Sequence, residues 1–304
     1  MTSHTSPLTT EQAECLRGIL DEKGFEFETK PHALFSARKG KLHVTVYQKG
    51  PKVLIQGKET EDFVRFILEP QILGEAKLGY EEIQQPDLFE PHFGIDESGK
   101  GDYFGPLVIA GVYTNAVITR HLMDSGIMDS KRISSAARIR KLAELIRATP
   151  GCMNEVVSIG PERYNEMYDS FGNLNRLLAW GHARVIEKLA LQMPNCPRAL
   201  SDQFAKPEVL QRALDAKKIH IQLEQRTKGE SDIAVAAASI LARERFMDWI
   251  DKTSSACAVN LPLGASGNVI VAAKEVVKVH GSDALSKVSK LHFRTTGIVL
   301  SSSD

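Results

Sequence analysis

FGIDESGKGDYFGP, residues 93–106, is the stretch on which the reading of this chain turns. It opens as an apolar strand and runs into two adjacent carboxylates, Asp96 and Glu97. Adjacent strand residues face opposite sides of a sheet, so in a central strand one of the two must be partly buried. An unpaired buried carboxylate is costly, and a bound cation is one good reason to place it there. The same stretch nearly spells a phosphate-binding P-loop, but three features speak against that. Residue 101 is Gly, where such a loop needs a hydroxyl for magnesium. Asp96 and Glu97 would lie inside the phosphate cradle and repel its occupant. The residues from 102 onward, DYFGPLVIAGVYT, read as a strand, whereas a P-loop opens a helix.

Outward from this point the chain alternates. Strands are expected at 92–97, 106–114, 153–159, 198–202 and 219–226, and helices at about 135–148, 173–193, 207–217 and 231–251. Interleaved strands and helices predict an α/β three-layer domain with at least part of its sheet parallel. Ligand sites in such sheets lie at the carboxyl ends of strands. That rule selects Asp96 and Glu97, then Asp202, then Glu230 in the segment after the last strand, with Asp102 and Asp232 close by. Singly, each has a structural explanation: Asp202 as a helix cap, Glu230 as a complement to the positive end of a helix. Together they meet at one edge of one sheet. Carboxylates without a His or Cys cluster suit a hard cation, Mg2+ or Mn2+. Two such ions roughly 3.5–4 Å apart clamp the attacking and leaving oxygens of a phosphoryl displacement. Asp96, the most central of these acids, is the expected bridging ligand.

Ahead of this domain, residues 10–23 read as an amphipathic helix with Ala13, Leu16 and Leu20 on one face. Phe25 and Phe27 alternate with Glu26 and Glu28 as in a strand. KLHVTVY (41–47) and KVLIQ (52–56) form a hairpin around Lys49-Gly50-Pro51, and a helix is expected next at 59–69. Lys41, His43 and Thr45 are expected on the sheet face away from the core. Residues 30–58 hold seven Lys or Arg and no Asp or Glu, so this face can lie on a polyanion. Residues 71–92 turn acidic and contain Pro86 and Pro91. The expected divisions are a front domain over 1–75, a linker over 76–91 and a main domain over 92–304.

Composition is that of an ordinary globular chain of 304 residues, 42% hydrophobic and 25% charged. Net charge is zero, with 38 basic and 38 acidic residues, which by itself counts against a nucleic-acid binder. No apolar stretch is long enough to span a bilayer, and the first residues lack a secretory signal pattern. Cys15, Cys152, Cys196 and Cys257 are scattered without metal-ligand spacing. A cytoplasmic location with reduced thiols is therefore expected, no membrane partner is expected, and a monomer is the default.

DESGKGDYFGPLV at 96–108 resembles the signature of ribonuclease HIII, a bacterial type 2 ribonuclease H. DSK at 129–131, YNEMY at 164–168, NLNRLLAWGHARVIE at 173–187, SDQF at 201–204, TKGES at 227–231, AVAAASILAR at 234–243 and KLHF at 290–293 continue the match in order. The resemblance implies a ribonuclease H-like mixed-sheet domain behind a small α+β domain shaped like the TATA-binding protein, which SARKGKLHVTVYQKGPKVLIQGKE at 36–59 resembles. It implies hydrolysis of the RNA strand of RNA/DNA hybrids, leaving 3′-hydroxyl and 5′-phosphate ends. It implies the tetrad Asp96, Glu97, Asp202 and Glu230, with Asp232 a rival for the fourth place because SDIAV is a residue short. The loop Ser98-Gly99-Lys100-Gly101 matches a segment that reads 2′-hydroxyls through its backbone, the group that distinguishes RNA from DNA. Lys100 is placed to neutralise a phosphate, and Lys131 is a second candidate. Trp180 and His182 are expected as packing residues, and Ser239 as part of a small-residue helix that approaches the sheet closely. Lys287, Lys290, His292 and Arg294 are either a solvated face or a duplex contact. The rival readings are another nuclease on the same fold, separated by a substrate panel, and a binder without activity, against which the full acidic set argues.

Overall fold

The computed structural model describes residues 3–74, 85–127, 133, 135–227 and 229–301. The chain divides into two compact units, Met1–Asp87 and Leu88–Asp304.

The first unit runs β1 (Ser3–Pro7), α1 (Thr10–Glu22), β2 (Glu26–Glu28), β3 (Ala33–Lys39), β4 (Leu42–Tyr47), β5 (Lys52–Gln56) and α2 (Thr60–Phe63), then a π-helix at Val64–Leu73. The strands pair antiparallel in the order β1-β5-β4-β3-β2. Thr9 starts α1 with a capping box: its hydroxyl accepts from Gln12 N at 3.1 Å and Gln12 Oε1 accepts from Thr9 N at 2.9 Å, which satisfies two otherwise orphaned donors. Ala13, Leu16 and Leu20 of α1 share a buried cluster with Val44, Val46, Val53 and Ile55 of the sheet. The helix expected at 59–69 continues to Leu73 in the wider winding. Pro70, which has no N–H to donate, lies inside it.

The face of β4 away from the helices is not uniformly open. Lys41 and His43 are exposed, but Thr45 is 2% exposed. Its neighbours in register are Ser36 and Leu54, and its hydroxyl lies 2.9 Å from that of Ser36. A side chain in the middle of a central strand is covered by its flanking strands even on the face away from the helices.

The second unit runs β6 (His92–Ser98), β7 (Leu107–Thr114), α3 (Ala116–Asp124), α4 (Ala136–Ala148), β8 (Asn154–Ile159), α5 (Pro161–Phe171), α6 (Leu174–Gln192), β9 (Arg198–Asp202), α7 (Pro207–Asp215), β10 (Gln222–Arg226), α8 (Ile233–Cys257), α9 (Gly267–His280), α10 (Ala284–Val288) and α11 (Arg294–Leu300). The mixed sheet has the order β10-β9-β6-β7-β8. β6, β9 and β10 are parallel, whereas β7 and β8 are antiparallel to their neighbours. The carboxyl ends of the three parallel strands therefore share one edge. Among the described residues no helix is long and apolar enough to cross a membrane.

Two glycines set how closely the layers approach. A Cβ on Gly94 of β6 would lie 2.2 Å from Ala234 C and Val235 N of α8. A Cβ on Gly111 of β7 would lie 2.5 Å from Val185 Cγ1 of α6. Gly111 pairs with Ile95, next along the strand from Gly94, so α8 and α6 cover opposite faces. The obstacle at Gly94 is backbone, which cannot swing aside. Gly94→Ala is expected to cost roughly 1–3 kcal/mol by overpacking, and to lower Tm by roughly 2–4 °C per kcal/mol for a unit of this size. Thermal unfolding by circular dichroism checks this, and a Tm equal to the parent's would refute the close-contact argument.

Candidate active site

β6 occupies the middle of the sheet, and Asp96 and Glu97 lie near its end. Asp96 has the parity of Gly94 and belongs to the α8 side, whereas Glu97 has the parity of Ile95 and belongs to the α6 side. Ile95 is in register with Ser201 of β9, and Arg226 of β10 with Asp202. Asp202 thus ends the strand beside Asp96. Beyond β10 a short 3-10 turn, Gly229–Ser231, carries Glu230. Gly229 N donates to Asp202 Oδ1 at 3.1 Å, which ties the Glu230 turn to the third acid.

Asp96, Glu97 and Asp202 line one groove of about 520 Å³, walled also by the loop residues Ser98 to Asp102 and by Arg243 and Phe246 of α8. The acids are held individually. Asp96 Oδ1 accepts from Glu97 N at 2.8 Å. Glu97, its side chain 11% exposed, accepts from His182 Nε2 at 3.1 Å and from Lys100 Nζ at 3.5 Å. Burial alone would push the Glu97 carboxyl up. The hydrogen bond and charge of His182, together with Lys100, outweigh burial and hold it below the usual glutamate value. The buried Nδ1 of His182 has no partner among the described residues, and Nε2 is the ring nitrogen that faces Glu97.

His182 therefore does more than pack. It is fully buried on α6, directly after Gly181, where a Cβ would meet Ile109 Cδ1 at 2.6 Å. That glycine lets the helix come near enough for the imidazole to reach Glu97. The sequence signal was the Gly-His pair in the middle of an apolar helix. Trp180 packs at the edge of the core as expected.

The glycine-rich loop comes directly after β6. Gly99 has φ +90°, and a Cβ there would lie 2.2 Å from Pro106 O, so only glycine fits. Gly101 is exposed with open space around it. The loop leads into β7 and not into a helix, in keeping with the argument against a P-loop. Lys100 Nζ also lies 5.9 Å from the centroid of the Phe204 ring. Lys131, with its DSK motif, lies outside the described residues.

Asp232 has a different place. It is the N-cap of α8, where its Oδ1 accepts from Ala234 N at 2.8 Å and Val235 N at 3.2 Å. Both oxygens also lie 3.0–3.1 Å from Nε2 of the fully buried His92. Ser239 is buried and donates to Ala236 O at 2.8 Å. Of the C-terminal cations, Lys290 is neither solvated nor at a surface: it is fully buried. His292 is exposed and stacks on Tyr168 with centroids 4.2 Å apart.

The donors suit a hard divalent cation by chemistry: Asp96, Glu97 and Asp202 share one groove with Asp102 of the loop, and carboxylate oxygen is the ligand atom throughout. Among the described residues no three acids, histidines or cysteines gather closely enough to enclose an ion. A carboxylate has about four lone-pair sites and is not exhausted by one hydrogen bond.

A family model of ribonuclease HII matches residues 93–296, and one described as a domain of unknown function matches residues 7–76. A ribonuclease HIII of Protochlamydia amoebophila (strain UWE25) is 44% identical over 95% of this chain and 93% of its own length. A ribonuclease HIII of Chlamydia pneumoniae is 44% identical over 95% of each. A crystal structure of Bst-RNase HIII in complex with Mn2+ superposes with TM-score 0.69 at 27% identity, covering 100% of this chain and 99% of that one.

Proposed function

The chain belongs to the ribonuclease HIII family, endoribonucleases that cut the RNA of RNA/DNA hybrids, and from that premise we propose that it does so with divalent cations held by Asp96, Glu97, Asp202 and Glu230. The observation that carries the reading is the meeting of Asp96, Glu97 and Asp202 on one groove beside the glycine-rich loop. When bound, Mg2+ or Mn2+ supplies charge neutralisation at the scissile phosphate and a nucleophile at neutral pH. The Mn2+ in the Bst-RNase HIII crystal supports such a requirement.

The chain's own residues do the rest. His182 and Lys100 keep Glu97 ionised and oriented. The backbone of Ser98, Gly99, Lys100 and Gly101 approaches the ribose, where a 2′-hydroxyl separates RNA from DNA. Lys100, and Lys131 by its motif, balance phosphate charge. The front unit, with His43 exposed on its sheet and Lys41 exposed in the turn just before β4, grips the hybrid backbone without reading sequence. The products carry 3′-hydroxyl and 5′-phosphate ends. A cytoplasmic monomer completes the reading. Burial pushes the Cys152 thiol up to about 12 and the Cys196 thiol up to about 11, which keeps both unreactive.

The test is a labelled hybrid incubated with Mg2+, with Mn2+ and with chelator, beside DNA and RNA duplexes of the same sequence. Cleavage of the RNA strand of the hybrid alone, dependent on the ion, is the expected result. Cutting of the DNA duplex, or equal cutting in chelator, would overturn it.

A further inference from the structure

Lys290 brings an ammonium group into the interior of the second unit. Its Nζ donates to the carbonyls of Gly105 at 2.7 Å, Asp102 at 2.8 Å and Phe104 at 3.4 Å. The backbone repeats the link: Lys290 N donates to Tyr103 O at 2.8 Å and Gly105 N to Val288 O at 2.9 Å. Phe104 and Ser289 form an isolated antiparallel bridge. The far half of the glycine-rich loop is thereby strapped to a segment nearly two hundred residues away.

That segment is itself held. Asn165 Nδ2 donates to Ser289 O at 3.0 Å and to Ser286 O at 3.3 Å, while its Oδ1 accepts from Leu291 N at 2.9 Å. The near half of the loop is reached through Phe246. The Lys290 ammonium lies 6.0 Å from the centroid of that ring, and a Cβ on either Gly99 or Gly105 would come within 2.9 Å of the same ring. A buried cation is expensive, and an apolar side chain of equal length would fill the same space. An ammonium adds three directed donors, and three carbonyls of one short loop receive them.

We propose that Lys290 is a positioning residue for substrate discrimination, fixing the 99–105 backbone at the height from which Gly99, Lys100 and Gly101 meet the ribose. The inference rests on the reading of that loop as the part of the enzyme that meets the 2′-hydroxyl. Lys290 touches no substrate on this account and acts through the loop alone.

The experiment compares the full-length parent with Lys290→Met. Affinity for a hybrid and for a DNA duplex of the same sequence is measured in chelator, and KM and kcat on the hybrid are measured with Mg2+. The expected result is a hybrid affinity and KM about tenfold worse, with affinity for the DNA duplex unchanged and kcat within a few-fold of the parent. A folded variant with the parent's hybrid preference, or one that loses both duplexes equally, overturns the proposal. If the parent itself does not prefer the hybrid, the reading of the loop has failed first. Should Lys290→Met not fold, the parent decides. Burial lowers the Lys290 pKa to about 7, so its ammonium signal is followed by 15N NMR at pH 6. A shift on adding hybrid but not DNA duplex supports the proposal, and no shift refutes it.

Discussion

Asp96→Asn is expected to lower single-turnover cleavage of a hybrid by on the order of 10³-fold, while binding measured in chelator stays within a few-fold of the parent. The carboxamide keeps the shape and the acceptor that Glu97 N uses at 2.8 Å, so the strand end is preserved. What is lost is a full negative charge at the centre of the acidic edge. Losing one charge-bearing ligand removes several kcal/mol of transition-state stabilisation, and each 1.36 kcal/mol is tenfold in rate. Binding is expected to survive because the grip on the phosphate backbone lies with cations and main-chain groups elsewhere, and one fewer negative charge near the duplex lowers repulsion. Rapid-quench kinetics at saturating enzyme separates the two effects. Parent-like cleavage by Asp96→Asn would remove Asp96 from the chemistry.

This prediction was accessible from residues alone because Asp96 lies where two independent rules agree. A hydrophobic strand that ends in adjacent carboxylates is costly without a ligand, and strand carboxyl ends are where open sheets bind. Asp202 was legible on the same terms, since RALSD is a short apolar run stopping at an acid. His182 was not. A histidine in an apolar helix is far more often a satisfied core residue, and the Gly-His pair, which signals a close approach of the helix, does not tell that α6 crosses behind Glu97. Lys290 was hidden for a related reason. A lysine in a polar C-terminal run looks solvated, and only the fold shows carbonyls closing on it.

The elements missed in the sequence share a cause too. β1 (SHTSP) is an edge strand with no apolar alternation, and β3 (ALFSARK) buries Phe35, Ser36 and Ala37 in succession, which erases the period of two. Helices α10 and α11 are too short to show a period, whereas α9 was missed although Val269, Ala273 and Val276 recur at helical spacing. α5 opens on Gly160 as N-cap with Pro161 in its first turn, a start that has no side-chain cap but follows the usual preference for proline there. Core strands and long amphipathic helices announce themselves through repetition, whereas edge elements and charges buried by tertiary contact do not.

The fourth acid gives the other large effect. TKGESD at 227–232 places Glu230 and Asp232 two residues apart, and spacing alone cannot choose between them. Asp232 has a complete structural occupation: it caps α8 through two N–H groups and faces the buried His92 with both oxygens. Removing it as Asp232→Ala forfeits the cap, at about 1 kcal/mol, and strands a buried imidazole, at roughly 1–3 kcal/mol. Glu230 instead occupies a one-turn bend whose preceding residue, Gly229, binds Asp202. Glu230→Gln is therefore expected to leave thermal unfolding unchanged and to cut the cleavage rate by on the order of 10²–10³-fold. Asp232→Ala is expected to lower Tm clearly while the fraction still folded cleaves within a few-fold of the parent rate. Calorimetry and active-site-titrated kinetics on both variants give the answer. The reverse pattern, a silent Glu230→Gln and a stable but inactive Asp232→Ala, would transfer the fourth ligand to the helix cap and undo the assignment of the turn.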